Sequence, residues 1–499
     1  MKQIEHIIIL GGGTSGWLTA LGLVTKLRKK VFITLIEDTK KGTIGVGEGT
    51  QPFTAGFLVE CGLEPTDWMK SSNASLKLGV ELSGWTDKPY FVDNDFTNYI
   101  LNYNLHIANY FADKNYSEYI DNNSCYNIAK SNKSHKFKGN LDFNLLTSPS
   151  NIGAVHFSAN DIVETIKKKI SSKVRHVDTS ITSVVTNENG IYQLIDNTNE
   201  IFSAGLFIDC SGFESKLLGK SLNVPFNSYE DYLLNDRCVV IQKQYSDPNT
   251  ECVPYTKATT MNAGWRFTIP IFARIGNGYV YSSKFITDEE AEKELRESIN
   301  ELDAPCRFID MKLGCYTKSV YKNVCAIGLS SGFIEPLEAT GLTTTTLFIK
   351  KLIVSLNESQ NIWSDENVEI LNFITKNFYT EVSAFIWAHY YFSTRSDTPY
   401  WKAIRNLKIT DLPKNTKKVI DYYYPNYPRF NLSEDYPTFT SHQWFSVIAA
   451  GASVTNTIPL TDDEKEYCKY FLTIQKAKIN YITENNLNHY EYLKQWYNS

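Results

Sequence analysis

The N-terminal segment IEHIIILGGGTSGWLTALGLVTKL is the feature that most restricts the fold of this chain. Its apolar residues 4–10 predict a buried strand, the glycines a tight turn, and the apolar-faced residues that follow a helix. Gly11, Gly13 and Gly16 fit the spacing GxGxxG. The first glycine permits the turn, the second lets a pyrophosphate approach the backbone, and the third lets the helix pack on the strand.

An acidic residue at the end of the next predicted strand supports a dinucleotide site. The segment VFITLIE ends at Glu37, 21 residues after Gly16, where a carboxylate can bind a ribose hydroxyl. A glycine turn without a ligand is the alternative, but this strand–turn–helix–strand context favours dinucleotide binding. Thr14 and Ser15, inside the turn, belong to the predicted cofactor site.

Two later segments favour FAD over NAD. AGLFIDCSGFESKLLG (204–219) and NVCAIGLSSGF (323–333) each read as an apolar strand followed by a turn of small residues, with Asp209 and Gly328 at the turns. Strand-and-turn segments of this kind, after a single N-terminal GxGxxG motif, resemble the FAD-binding fold of the flavin monooxygenases. That fold is an α/β fold of the Rossmann type. No second GxGxxG for NAD(P)H is present. We therefore expect a separate NAD(P)H-dependent flavin reductase to supply reduced FAD.

Composition narrows the function classes further. A net charge of -5 gives no basic field that would attract nucleic acid. Nine cysteines without a CxxC pair indicate reduced thiols, and eight histidines without HxH or HExxH indicate no metal site. No apolar run is long enough to span a membrane, and the N-terminus lacks a signal-peptide layout. We expect a cytoplasmic enzyme.

Five motifs in order along the chain resemble those of the flavin-dependent tryptophan halogenases. They are GGGTSGW (11–17), GVGEGTQP (45–52), ASLKLG (74–79), GWRFTIP (264–270) and EPLEATG (335–341), and the resemblance runs from residue 6 to about residue 460. It implies that reduced FAD and dioxygen oxidise a halide ion (chloride, bromide or iodide) to hypohalous acid. This oxidant would pass through an internal tunnel to a lysine that faces an electron-rich aromatic substrate.

The resemblance identifies Lys77 as that lysine. In SLKLGVEL, apolar and other residues alternate as in a strand, so Lys77 lies opposite the apolar stripe. A solvent-facing lysine is the simpler interpretation of this stretch alone. If the polar face instead lines a tunnel, desolvation would lower the pKa of Lys77 and make it a better nucleophile.

The resemblance identifies Glu338 as the glutamate that stabilises the cationic intermediate and accepts the proton lost from the ring. By itself, Glu338 could equally be a first-turn carboxylate that complements a helix dipole. Glu335 suits that role better, or hydrogen-bonds locally before Pro336 and shapes the turn.

The resemblance also implies residues at the flavin, the halide and the tunnel. The strap loop beside the flavin would contain Gly45, Val46, Gly47 and Glu48. The start of the helix GLTTTTLFIKK would hold the halide on the backbone amides of Thr340 and Gly341, with Gly341 and Leu342 beside the flavin. The segment that separates organic substrates from the flavin would contain Trp265, Phe267, Ile269 and Pro270.

Two positions depart from the family pattern. Phe267 replaces a tryptophan and lacks its indole N–H, and Ala339 replaces a serine between the flavin side and the substrate side. Two alternatives therefore stay open: an FAD-dependent aromatic hydroxylase, which needs neither Lys77 nor Glu338, and a flavin-binding protein without turnover.

The expected architecture has two parts. Residues 1–355 form an FAD-binding core with substrate-side inserts near 85–150 and 225–310, and residues 356–499 form a mostly helical substrate-binding region that contains a long helix over 367–392. Aromatic residues in 98–119 and 422–444 are candidates for binding a small aromatic substrate, with tryptophan, other indoles and phenols all open. The sequence indicates no oligomeric state.

Overall fold

A computed structural model describes residues 2–42, 48–94, 110, 116–134, 153–423, 438–452 and 459–498. Three expected features lie wholly or partly outside these described residues. They are the strap-loop residues Gly45, Val46 and Gly47, most of the aromatic insert 98–119, and much of the segment 422–444.

Twenty-four strands are defined in the described residues. In chain order they are β1 Lys2–Gln3, β2 His6–Leu10, β3 Phe32–Glu37, β4 Glu48–Gly49, β5 Ser75–Lys77, β6 Gly79–Ser83, β7 Tyr90–Asp93, β8 Ala154–Phe157, β9 Arg175–Asp178, β10 Ile181–Asn187, β11 Gly190–Asp196, β12 Ile201–Phe202, β13 Leu206–Asp209, β14 Phe226–Ser228, β15 Arg237–Lys243, β16 Thr256–Met261, β17 Gly264–Ile271, β18 Arg274–Tyr281, β19 Cys306–Asp310, β20 Gly314–Tyr316, β21 Val320–Tyr321, β22 Val324–Ala326, β23 Gly332–Phe333 and β24 Ile362–Trp363.

Fifteen α-helices accompany them in the described residues. They are α1 Thr14–Lys26, α2 Pro52–Glu60, α3 Pro65–Ser71, α4 Tyr116–Asp121, α5 Ser124–Lys130, α6 Ala159–Ile170, α7 Pro248–Glu251, α8 Asp288–Ile299, α9 Thr340–Glu358, α10 Asp365–Tyr391, α11 Pro399–Asn406, α12 Lys414–Tyr423, α13 Ser441–Gly451, α14 Asp462–Asn485 and α15 His489–Asn498. None of the helices in the described part of the chain is long and apolar enough to cross a membrane.

The first sheet is six-stranded and confirms the predicted Rossmann-type core. Its order is β21-β22-β13-β2-β3-β9, and all pairs except β21–β22 are parallel. The continuous apolar run of β2 is typical of a parallel strand covered on both faces, and Ile7, Ile8 and Ile9 are fully buried. The turns that follow β2, β13 and β22 therefore meet at one edge of the sheet, where ligands bind in folds of this kind.

A second sheet has seven strands. Its order is β19-β15-β18-β17-β16-β6-β7, so the expected insert near 225–310 contributes five of its strands. A large apolar cluster connects this sheet to the buried face of α10. This contact brings two distant parts of the sequence together.

The predicted strand over SLKLGVEL is two strands. β5 pairs with β8 in a three-stranded sheet, whereas β6 pairs with β7 and β16 in the seven-stranded sheet, and Leu78 lies between them. Every residue of β5, and all of β6 except Ser83, is buried. Both faces of the segment with the alternating pattern are therefore buried in the protein interior. The solvent-facing interpretation of Lys77 is wrong.

The C-terminal region is mostly helical, as predicted, and α10 includes nearly all of the expected helix over 367–392. Helix α9 continues to Glu358, so the expected boundary at residue 355 falls inside its last turn. The short strand β24 then pairs antiparallel with β1, which ties the beginning of the C-terminal region to the N-terminus.

Candidate active site

The glycine turn between β2 and α1 has the geometry that the sequence predicts. Gly11 has a φ of +115°, and a Cβ there would lie 2.1 Å from the Cys210 carbonyl oxygen. A Cβ on Gly16 would lie 1.9 Å from the Gly11 carbonyl oxygen, so these two glycines permit close packing. A Cβ on Gly13, by contrast, would meet nothing within 4 Å, because this glycine faces open space.

That open space belongs to a cavity of about 820 Å³, which falls within the range of roughly 300–1,000 Å³ common for small-molecule sites. Predicted cofactor and halide residues lie along its wall: Gly11, Gly13, Thr14, Ser15, Glu37, Glu48, Gly328, Thr340, Gly341 and Leu342. The open backbone at Gly13, followed directly by the N-terminus of α1, suits a pyrophosphate. The residues present therefore fit a dinucleotide such as FAD.

Two acidic residues predicted at the cofactor differ in placement. Glu37 lies in the cavity wall beside Gly12, and its Oε1 is 2.6 Å from His176 Nε2 and 3.4 Å from Lys167 Nζ. Asp209 does not line the cavity. Its buried carboxylate accepts hydrogen bonds from the Ser211 hydroxyl and from backbone amides of residues 211, 217 and 218. The Asp209 side chain holds the turn after β13 and does not contact the cavity, contrary to the expectation for it.

Lys77 reaches the same cavity from β5. Its side chain is 2 % exposed, and its ammonium donates a hydrogen bond to the Thr50 carbonyl oxygen at 2.9 Å. Burial lowers the pKa of Lys77 below its usual value, while the Glu338 carboxylate opposes part of this shift. The direction is the one expected for a lysine that acts as a nucleophile.

Glu338 lies in a tight turn in front of α9. Glu338 and Ala339 both have left-handed backbones, with φ of +62° and +55°. Two successive non-glycine residues in this region are unusual and cost about 1–2 kcal/mol each. The turn directs the Glu338 carboxylate into the buried part of the cavity, and Gln51 Nε2 donates to the Glu338 carbonyl at 3.1 Å.

The electrostatics of Glu338 are unusual. Neither carboxylate oxygen has a hydrogen-bond partner among the described residues. Burial raises its pKa, Lys77 opposes that rise, and Asp93 adds to it. Burial therefore opposes the charge on both Lys77 and Glu338, and each charge favours the other.

The expectation for Glu335, a helix cap or a local turn contact, is wrong. Its fully buried carboxylate accepts hydrogen bonds from Trp265 Nε1 at 3.1 Å, the Tyr390 hydroxyl at 2.5 Å and Asn235 Nδ2 at 3.4 Å. These donors come from β17, from α10 and from the loop before β15. Glu335 therefore connects three distant elements directly in front of the Glu338 turn.

The segment GWRFTIP forms most of β17. Trp265, Phe267 and Ile269 line the cavity, whereas Pro270 does not. Phe267 packs on Gly278, where an added Cβ would lie 2.2 Å from the ring. The ring that replaces the family tryptophan is thus well packed, with no indole N–H to satisfy.

His389 is a residue near Glu338 to which we assigned no role from the sequence. Its Nε2 lies 3.8 Å from Glu338 Oε1, and its Nδ1 is 2.8 Å from the Tyr90 hydroxyl. His389 stands 51 residues after Glu338 and 299 residues after Tyr90, so only the fold brings the three together. The motif AHYYFSTRSDTPYW contains this histidine, but no local pattern distinguishes it from a packing residue.

The start of α9 offers backbone groups to the cavity. No side chain caps this helix, and an added Cβ on Gly341 would meet only Phe333 Cε2, at 4.0 Å. An uncapped helix N-terminus beside open space can bind an anion.

Comparison with known proteins agrees with this geometry. Residues 6–465 match the family described as tryptophan halogenase. The chain is 31% identical over 452 residues to tryptophan 7-halogenase RebH of Lentzea aerocolonigenes, covering 84% of this chain and 82% of the relative. It is 28% identical over 518 residues to 7-chloro-L-tryptophan 6-halogenase KtzR of Kutzneria sp. (strain 744), covering 98% of both chains.

Solved structures extend the likeness to the whole fold. A tryptophan C-6 flavin-dependent halogenase (chlorinase) from taromycin biosynthesis gives a TM-score of 0.88 at 26% identity, with complete coverage of both chains. A tryptophan 6-halogenase from Streptomyces toxytricini gives 0.86 at 27% identity, covering 98% and 99%. The fold and the site thus define a flavin-dependent oxidoreductase. More specifically, this chain belongs to the tryptophan halogenase family and is a flavin-dependent halogenase.

Proposed function

We propose that this protein uses FADH2 and dioxygen to convert a halide ion into hypohalous acid, and that Lys77 delivers the halogen to an electron-rich aromatic substrate. The observation that carries this proposal is the shared cavity: the open glycine turn, the start of α9, Lys77 and Glu338 all border it. An aromatic hydroxylase, by contrast, needs neither Lys77 nor Glu338.

In this proposal the reduced FAD, made by a separate flavin reductase, supplies the oxidising chemistry together with dioxygen. The backbone of Gly13 and the N-terminus of α1 would hold its pyrophosphate, and the amides of Thr340 and Gly341 would hold the halide. Chloride, bromide and iodide can all bind such an amide site, because it depends on charge and little on side-chain shape.

Lys77 would hold the electrophilic halogen in place. Since burial lowers its pKa, a larger fraction of Lys77 is neutral at physiological pH than of an exposed lysine. A neutral amine can attack the halogen of hypohalous acid, so that an N–halogen bond forms, the O–halogen bond breaks, and the hydroxide leaves with one amine proton as water. An ammonium can instead donate a hydrogen bond to the acid. The bond to the Thr50 carbonyl fixes the position of the nitrogen for either role.

Glu338 would act on the aromatic ring. When the halogen adds to a ring carbon, that carbon keeps its hydrogen until a base removes it, and the ring carries a positive charge in the meantime. An ionised Glu338 stabilises this charge and then accepts the proton. Its two oxygens have no other hydrogen-bond partner among the described residues, so they are available to the substrate.

The relatives named above act on tryptophan or chlorotryptophan, which makes tryptophan and other indoles the first substrates to test, followed by phenols. The test is halogenation with reduced FAD, each halide in turn, and product detection by mass spectrometry. We expect a halogenated product from the native chain and none from Lys77→Ala, with FAD affinity unchanged in that variant.

Lys257→Ala is a matched control, because Lys257 is on β16 next to a cavity residue but does not line the cavity. It should keep full activity. Oxygenated product formed without halide would show a hydroxylase instead. FAD binding without turnover of any substrate would show a flavin-binding protein, and full activity of Lys77→Ala would refute the assigned role of the lysine.

A further inference from the structure

His389 on helix α10 lies beside Glu338, and both side chains are buried. The side chains of both residues are 0% exposed, and His389 Nε2 is 3.8 Å from Glu338 Oε1. Neither this nitrogen nor the two carboxylate oxygens has a hydrogen-bond partner among the described residues. Buried polar atoms in native proteins nearly always have partners, so a histidine nitrogen and a carboxylate without partners that lie close together indicate a functional arrangement.

Tyr90 determines which nitrogen of His389 carries the hydrogen. The Tyr90 hydroxyl is buried, and its hydrogen-bond partner in the described structure is His389 Nδ1, at 2.8 Å. Because a buried O–H needs an acceptor, the hydroxyl donates and Nδ1 accepts. Burial lowers the pKa of His389 to about 3, so the ring is neutral at physiological pH. A neutral ring that accepts at Nδ1 carries its hydrogen on Nε2, the atom that lies 3.8 Å from Glu338 Oε1.

We propose that His389 is a positioning residue for this reaction: Tyr90 holds it in the Nε2–H tautomer, and that N–H is aimed at Glu338 and favours the ionised carboxylate. This inference rests on the proposed function, since it concerns the form of Glu338 that accepts the ring proton.

The other groups around Glu338 show why a neutral donor is useful there. Lys77 favours the ionised form of Glu338 only while it is itself charged, whereas burial and Asp93 both oppose ionisation. Once Lys77 is neutral, as an amine or carrying a halogen, Glu338 has lost its cationic neighbour. The Nε2–H of His389 stays close to the carboxylate as a neutral donor, because burial keeps the ring of His389 neutral near neutral pH.

The tautomer can be measured directly on the protein without flavin. In protein labelled with ¹⁵N-histidine, NMR shifts distinguish the two nitrogens, and the signal that disappears in His389→Gln belongs to His389. We expect the Nε2–H form in the native protein and a change in the tautomer ratio in Tyr90→Phe. A native His389 that carries its hydrogen on Nδ1, or on both nitrogens at neutral pH, overturns the inference.

The effect on Glu338 appears in the pH profile of kcat. His389→Leu removes the donor. In this variant we expect the acidic limb of the kcat profile to move to a pH about one unit higher, which is about a tenfold change in the protonation equilibrium of Glu338. His389→Gln places an amide N–H near the position of Nε2 and should restore most of the native profile. A limb that stays in place in His389→Leu, or that moves equally in both variants, contradicts the proposal.

These two measurements separate this inference from the proposed function. The NMR result reports on His389 even if no halogenated product is ever found. Conversely, halogenation that depends on Lys77 but shows no shift in His389→Leu would support the proposed function and reject the role of His389.

Discussion

The buried carboxylate of Glu335 should make the stability of this protein depend on pH in a specific way. Burial raises the pKa of Glu335 from 4.5 to about 7, and the hydrogen bonds from Tyr390, Trp265 and Asn235 offset only part of the rise. Between these two pKa values the folded chain binds the Glu335 proton and the unfolded chain does not. Folding stability contributed by this group is therefore present at low pH and is lost as pH rises towards 7.

The magnitude follows from the size of the shift. Each pKa unit corresponds to about 1.4 kcal/mol, so raising the pH from about 5 to about 8 removes about 2.5 kcal/mol through Glu335 alone. Glu335→Gln cannot titrate. At pH 5 this variant should be less stable than the native protein, because its amide group cannot accept from all three donors, and at pH 8 the difference should shrink or reverse.

The measurement is urea unfolding of both proteins at the two pH values. The quantity of interest is the change in their stability difference, in which all other titrating groups cancel. Glu369→Gln, at an exposed position of α10, is the control and should show no such change. Parallel pH dependence of the native protein and Glu335→Gln would refute the reasoning.

Two further predictions concern the backbone. Ala339→Gly should raise the free energy of unfolding by about 0.5 kcal/mol. The strain energy that glycine removes at this left-handed position is slightly larger than the extra conformational entropy that glycine loses on folding. Ala403→Gly in the interior of α11 should lower it by about 1 kcal/mol, and a fall in both variants would contradict the strain at residue 339. Gly11→Ala should weaken FAD binding at least tenfold in a flavin fluorescence titration, since its Cβ would lie 2.1 Å from a carbonyl oxygen. Native affinity in Gly11→Ala would show that the turn can rearrange.

The sequence determined the parts of this protein that depend on local geometry. The strand–glycine–helix pattern predicted β2, its glycine turn and α1, because a tight turn and a close helix crossing need glycine whatever surrounds them. The motifs also located Lys77 and Glu338, and the structure places both on the wall of one cavity.

Only the tertiary structure decided the environment of those residues. The pattern around Lys77 could not show that both faces of its strand are buried, since this depends on sheets formed by β8 and β16. Likewise, Glu335 looked like a local turn residue, yet its partners come from elements up to 100 residues away in the chain. Hydrogen bonds and desolvation depend on which atoms are near in space, and a linear pattern does not contain that information. The facing pair of His389 and Glu338 was invisible for the same reason.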